Sequence, residues 1–366
     1  MTEASVNLLG LPRRKLEELF LSIGEKPFRA RQIMRWMYGR GVLDPGQMTD
    51  LGMSLRQELA VRAPVVLPAV SDVQESADGT VKWRLDAGMG QAIETVYIPE
   101  PGRGTLCVSS QVGCAMDCRF CATGRQGFNR NLSAAEILGQ VLIARRELGD
   151  QDGRSPITNV VFMGMGEPLA NFRALVQACQ VLTDDLAFGL SRRRVTVSTS
   201  GLVPQIRRLS EECRVALAVS LHAPDDALRD ELVPINRRHP IAELLGACWD
   251  YVEATNTKEI TFEYVMIDGV NDSIEQAKRL AALLRHRPAK LNLIPFNPFP
   301  GTVYRRSTPQ AVEAFRRVQQ AADIVTVMRR TRGDDIAAAC GQLAGSVANR
   351  VRVPLGSRSQ AVSCAP

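Results

Sequence analysis

The sequence predicts an α/β protein: a partial (β/α)6, TIM-like barrel with a small N-terminal helical domain and a β-hairpin extension. Three observations carry this. Beyond residue 104, short Val/Ile-rich runs alternate with longer amphipathic stretches, the pattern of a parallel sheet with right-handed helical crossovers. Before residue 65 the apolar spacing is helical, and between 66 and 99 it switches to a period of two. The six strand–helix repeats fall short of the eight of a closed barrel, so one side stays open to a large substrate.

The elements follow in order. Residues 13–63 read as helices broken by glycines: KLEELFLSIG, FRARQIMRWMYGRG and LGMSLRQELAVR. The second interleaves Arg29, Arg31, Arg35 and Arg40 with Trp36 and Tyr38. Such a face suits RNA phosphates and base stacking, and equally a solvated helix over a buried Trp. VVLPAVSDVQES, TVKWRLDA and QAIETVYIP alternate as strands, with Asp78-Gly79 as a hairpin turn. Barrel strands are expected at 105–110, 157–163, 194–198, 215–221, 260–266 and 290–295, with 324–328 closing. Helices are expected at 134–148, 172–183, after Gly201, and at 241–254, 274–285 and 310–322. The resulting division is 1–65 (helical, RNA-binding accessory), 66–103 (β-extension), 104–348 (barrel core with a C-terminal catalytic loop) and 349–366 (tail).

Composition narrows the function. The net charge of +6 is compatible with a nucleic-acid partner. No run approaches the ~18 apolar residues of a membrane span, and the first residues, with Glu3, lack an apolar signal region. Nine cysteines, an odd and sparse set, argue against a disulfide framework. A cytoplasmic location is expected.

Cys114, Cys118 and Cys121 form C-x3-C-x2-C after the first barrel strand. Iron–sulfur clusters take thiolate ligands, ordinarily four; three leave one iron open for chemistry. Zinc usually brings a second Cys or His pair, and the three histidines here are scattered. Gly113 and Gly124 let the loop wrap tightly. The second strand ends in GMGEP, where Gly166 allows close backbone approach and Glu167 offers a charged acceptor. Ser198, Ser220, Leu221, His222 and Asn297 lie at later strand ends, on the face where barrels do chemistry; each is also a plausible cap or turn residue. Cys107 lies within the first barrel strand. Cys340, between GDD and GQLAG, reads as a loop-to-helix junction, where reactive groups tend to be exposed. Cys179, Cys213 and Cys248 read as structural, and Cys364 falls in the tail.

The three-cysteine loop resembles the radical-SAM superfamily, in which the open iron chelates S-adenosylmethionine (SAM). With CVSSQVGCAMDCRFCATGRQGFNRNL, VFMGMGEPLAN, VSTSGLVP, VSLHAP, NLIPFNPFPG and RGDDIAAACGQL in this order, the whole chain resembles the RlmN/Cfr family of radical-SAM RNA methyltransferases. The resemblance implies a radical-SAM barrel, a [4Fe–4S] cluster held by Cys114, Cys118 and Cys121, and SAM bound by Gly166, Glu167 and the strand-end residues above. It implies methylation of adenine C2 in 23S rRNA, and in some members in tRNA, with electrons from a flavodoxin or ferredoxin. Adenine C2 has no lone pair with which to attack a sulfonium methyl, so a radical route is required. In the family, the position of Cys340 takes a methyl from one SAM. A second SAM yields a 5′-deoxyadenosyl radical that removes hydrogen from it, and the methylene radical adds to C2. The position of Cys107 resolves the adduct by a disulfide with Cys340, reduced before the next turnover, and that of Glu94 accepts a proton. The rivals are a Cfr-type adenine-C8 methyltransferase, another radical-SAM class, and a non-enzymatic RNA-binding module with a structural metal.

Overall fold

Sequence-local signals set the helix boundaries. In the computed structural model, which describes residues 7–150 and 154–347, helix α1 (Arg13–Ser22) buries Leu16 and Phe20, one turn apart. Helix α2 (Arg29–Met34) runs into a π-helical turn at Arg35–Gly39, and α3 (Met53–Arg62) buries Leu55 and Leu59. The two readings of the basic, aromatic segment are separated here. Tyr38 is fully buried, its hydroxyl donating to the Leu9 carbonyl at 2.8 Å. Trp36 donates to Asp50 at 2.6 Å and lies under the Arg40 guanidinium. Both rings are spent inside the protein, so neither is open for base stacking, whereas Arg31, Arg35 and Arg40 are exposed.

Strands β1 (Val70–Glu75) and β2 (Val81–Asp86) form the expected hairpin, with Gly79 at φ +79° in its turn. After β3 (Ala92–Glu100) and β4 (Arg103–Cys107) come a short β5 (Gln111–Gly113), α4 (Ala122–Gln126) and β6 (Phe128–Asn131). The alternating part follows as α5 (Ala134–Leu148), β7 (Asn159–Phe162), α6 (Phe172–Thr183), β8 (Val195–Thr199), α7 (Val203–Glu212), β9 (Ala216–Ser220), α8 (Asp226–Leu232), α9 (Ile241–Thr255), β10 (Ile260–Met266), α10 (Ile274–Leu284), β11 (Ala289–Pro295), α11 (Pro309–Ala321) and β12 (Val325–Met328). Helices α5 and α10 start at capping boxes, Ser133/Glu136 and Ser273/Gln276, each contributing about 1 kcal/mol.

One ten-stranded sheet runs in the order β1-β2-β3-β4-β7-β8-β9-β10-β11-β12. From β4 to β12 all neighbours are parallel, the open barrel wall expected. The extension continues that wall: β3 pairs antiparallel with β4, Val96 opposite Cys107. Strands β5 and β6 and helices α4 and α8 add to the elements expected above. The cysteine loop, read as irregular, is framed by the β5–β6 ribbon, and a Cβ on Gly113 (φ +75°) would fall 2.0 Å from the Gly127 carbonyl. The segment around Cys340 also differs from expectation. A 3-10 turn at Asp334–Ile336 precedes it, and successive turns rather than a helix follow. Left-handed residues at Gly333, Ala337, Gly341 and Gly345 keep it turning. Cys179, Cys213 and Cys248 are buried, as expected of structural cysteines. The tail at 349–366, with Cys364, lies outside the described residues.

Candidate active site

The cysteine loop lies at the C-terminal end of β4. Cys114 and Cys118 are buried and Cys121 is half-buried. The three thiols are near enough for charge on one to disfavour charge on another, and burial, the larger effect, pushes Cys118 up to about 12. Such thiols ionise when a cation binds them. No three Cys, His, Asp or Glu among the described residues converge as ligands of a single ion. Three thiolates on separate irons of a cluster need not converge in that way, and an all-thiol donor set suits iron–sulfur chemistry.

Beside this loop opens a cleft. Its lining includes Cys121, Gly166, Glu167, Ser198, Ser220, His222, Asn297 and Cys340, with Phe120, Phe162 and Phe296 as apolar walls. Gly166 adopts φ +101°, and a Cβ there would strike Gln111 at 2.5 Å, so this turn of GMGEP has no room for a side chain. Glu167 is buried, its carboxylate accepting from Leu169 N (3.0 Å) and Ser200 N (2.7 Å). Burial raises its pKa against those bonds.

His222 sits at φ +58° with its ring edge-on to Phe120. Its Nδ1 accepts from Val265 N at 3.0 Å, which leaves Nε2–H as the ring's donor. Burial, with the Arg229 charge nearby, lowers its pKa to about 3, so it is neutral at physiological pH. Leu221 does not line the cleft: its side chain is fully buried, and its carbonyl accepts from Arg229. Asn297 reaches the cleft but is already engaged, donating to the Cys340 carbonyl (3.1 Å) and accepting from Arg306 (2.8 Å).

Cys340 arrives from the far end of the chain. The residue is exposed, yet its thiol is crowded enough that burial raises its pKa, Arg329 lowers it and Glu263 raises it. Cys107, buried in β4, lies within electrostatic reach of the same sulfur. The loop carrying Cys340 is gripped from two sides. On the extension side, Lys82 donates to Ile336 O (2.5 Å), the Glu94 carboxylate accepts from Ala344 N (3.0 Å), and Ser76 donates to Asp335 (2.6 Å). On the cluster side, Ala122 N donates to Gly341 O (2.8 Å) and Thr123 to Leu343 O. Glu94 is buried beside Lys82, so it is not a surface charge.

Sequence reasoning missed three polar groups. Glu263 lines the cleft with Oε1 accepting from Asn292 (2.9 Å) and Oε2 without a partner among the described residues. A lone acid inside ITFEYVM was its available signal. Arg329 lines the cleft at the end of β12. Arg229 is wholly buried behind a stretch that reads as a solvated acidic helix.

Comparison with known proteins agrees with this geometry. Residues 6–65 match the ribosomal RNA large subunit methyltransferase N-terminal domain, and residues 108–281 match the radical SAM superfamily. Two curated relatives, both described as dual-specificity RNA methyltransferase RlmN, come from Francisella tularensis subsp. novicida (strain U112) and subsp. mediasiatica (strain FSC147). Each is 54% identical over 96% of this chain and 95% of its own. A solved radical SAM methyltransferase from Sphaerobacter thermophilus superposes with a TM-score of 0.86 at 46% identity, covering 92% of this chain and 99% of that one. No described helix is long and apolar enough to cross a membrane. Two domain matches in the expected order and full-length likeness at this identity lead to one conclusion: the chain belongs to the RlmN family of radical-SAM RNA methyltransferases, enzymes that use a [4Fe–4S] cluster and SAM.

Proposed function

We propose that this enzyme methylates C2 of adenine in 23S rRNA, and of adenine in tRNA, through an S-methylated Cys340. The observation that carries the reading is Cys340 lining the same cleft as Glu167 and Cys121, with the Cys107 thiol within its electrostatic reach. Cys114, Cys118 and Cys121 would hold the cluster. Gly166 and Glu167 would receive the SAM amino group, and Ser198, Ser220 and His222 would surround the rest of the cofactor. Leu221 contributes backbone alone, and Asn297 acts by holding the Cys340 carbonyl. When bound, the cluster and SAM supply one-electron cleavage of a sulfur–carbon bond and hence a carbon radical.

The chain's own residues do the rest. The Cys340 sulfur accepts a methyl group and loses its thiol proton. After that methyl loses a hydrogen atom to the carbon radical, its carbon bonds to adenine C2; the C2 proton passes to Glu94, and one electron would return to the oxidised cluster that Cys114, Cys118 and Cys121 would hold. The Cys107 sulfur, a neutral thiol in its buried setting, then attacks the Cys340 sulfur, and its proton is the one passed to the departing carbon. An S–S bond forms, the S–C bond breaks toward carbon, and protonation completes the methyl group. Two external electrons reopen the disulfide. A flavodoxin or ferredoxin is the proposed donor and the cytoplasm the proposed location.

The test is an anaerobic assay of reconstituted enzyme with SAM and an unmodified 23S rRNA fragment, read by nucleoside mass spectrometry. 2-Methyladenosine is the expected product. 8-Methyladenosine would reassign the regiochemistry, and cleavage of SAM without methylated adenine would reassign the substrate.

A further inference from the structure

Arg229, on α8, is fully buried, and its guanidinium donates four hydrogen bonds. They run to Leu221 O (3.1 Å), Asn236 Oδ1 (2.8 Å), Ser200 O (2.7 Å) and Ser220 O (3.0 Å). Every acceptor is neutral, and among the described residues no carboxylate forms an ion pair with it. The nearby acids are held off by Asn236, whose Nδ2 donates to Asp226 (2.9 Å) and Asp230 (2.7 Å) while its oxygen faces Arg229. Gly201 makes the burial possible: at φ +113°, a Cβ there would lie 3.3 Å from the guanidinium.

A buried charge that forms no ion pair costs several kcal/mol; Asp226 and Asp230 offset this one in part, through space and from behind Asn236, which leaves it able to stabilise a further anion. On the cleft side the guanidinium comes within electrostatic reach of Cys118. The Cys118 sulfur lies 3.9 Å from the hydroxyl of Ser200, the residue whose carbonyl Arg229 holds. A [4Fe–4S] core bearing three thiolates is a net anion, and one-electron reduction adds a further negative charge. Net charge near a cluster is one of the protein's controls on its potential.

We propose that Arg229 is a charge-compensating residue for the cluster, whose buried, unpaired guanidinium makes the cluster easier to reduce. This rests on the reading that Cys114, Cys118 and Cys121 hold the cluster. The step affected is the entry of one electron from an external one-electron reductant; no bond breaks and no proton moves. Arg229 touches neither substrate nor reacting atoms, and its backbone partners at Ser200, Ser220 and Leu221 tie its charge to the strand ends that face the cleft.

The test is a dithionite titration of reconstituted holoenzyme without SAM, followed by the electron paramagnetic resonance signal of the reduced cluster. Arg229→Gln should shift the midpoint to a more negative potential, and Arg229→Lys, which keeps the charge, should stay near wild type. Asp226→Asn removes an acid that offsets Arg229 while keeping the shape, and should shift the midpoint the opposite way. Arg229→Gln and Asp226→Asn both titrating as wild type, with full iron and sulfide, would overturn the inference. If Arg229→Gln does not fold, Asp226→Asn decides alone, and a midpoint no higher than wild type overturns it. Iron content separates the two failures: undiminished iron in Cys118→Ala sinks the ligand reading itself, and the inference with it.

Discussion

The two walls of the cleft are built differently. One is the row of strand ends from β7 to β10, where Ser198 and Ser220 sit on parallel strands bonded to their neighbours and Glu167 and His222 lie in the turns just beyond β7 and β9. The other is the loop around Cys340, which has no regular element of its own beyond one 3-10 turn. It is held by residues about 250 positions earlier, such as Glu94 to Ala344 and Lys82 to Ile336. The first wall is fixed by the sheet, the second by side chains clasping backbone. A scaffold that must present a cofactor benefits from the first kind of construction. A loop that must present one exposed thiol to a cleft benefits from the second.

The largest expected effect separates chemistry from scaffold. Cys340→Ala should lower methyl transfer by on the order of 10³-fold or more, with iron content and thermal unfolding unchanged, because the residue is exposed and its side chain donates no bond that holds the loop. Loss of iron in that variant would mean the loop is part of the cluster's housing. Next comes the clasp. Lys82→Met leaves Glu94 buried without its cation and two carbonyls without their donor, at a cost of about 3 kcal/mol. Hydrogen exchange should quicken at residues 333–346 and stay slow in β8 and β9. Uniform quickening would show that the two walls are one cooperative unit.

Acid should also tell the walls apart. His222 is neutral in the fold, with its pKa lowered to about 3 by burial, then by the Arg229 charge. The unfolded chain therefore binds a proton that the folded one does not. Its contribution is complete above the ordinary histidine range near 6.5 and is lost progressively as pH falls below it. Asp78 is held at about 2: burial raises it, but bonds from Thr80, Gly333 and Ser76 outweigh that. Its contribution to the clasp is full above about 4 and fades only as pH falls toward 2. Urea midpoints of wild type should thus decline between pH 7 and 5 more steeply than those of His222→Gln, while Asp78→Asn should parallel wild type over that interval. The reverse pattern would break the assignment. The smallest effect is the control: Glu231→Ala removes an exposed partner of Arg119 and should change stability by less than about 0.5 kcal/mol in a urea melt.

The same contrast explains what was legible in the sequence. Strands and helices of the first wall follow from local periodicity and caps, and the ranges 134–148 and 172–183 recur as α5 and α6. Gly166 and Glu167 were readable because a strand end and a required left-handed glycine adjoin. The grip of Lys82 and Glu94 on the Cys340 loop leaves no such local trace, since both partners are far apart and one is always backbone. Arg229 was hidden by its setting: among the acids of DDALRDEL an arginine has the local pattern of a surface charge, and only the fold buries it within electrostatic reach of Cys118. Trp36 and Tyr38 left two readings open, because a basic helix with buried aromatics has the composition of one that displays them, and only the fold decides between the two.

The clasp between Glu94 and Ala344 has a consequence for biosynthesis. A chain leaving the ribosome exposes the three cysteines of the 114–121 loop more than two hundred residues before Leu343 and Ala344 can close over them. Until then the cleft lacks the wall that carries Cys340. Closure of the last segment brings Cys340 to the cleft, so that wall can be completed only after the whole cysteine loop has been made.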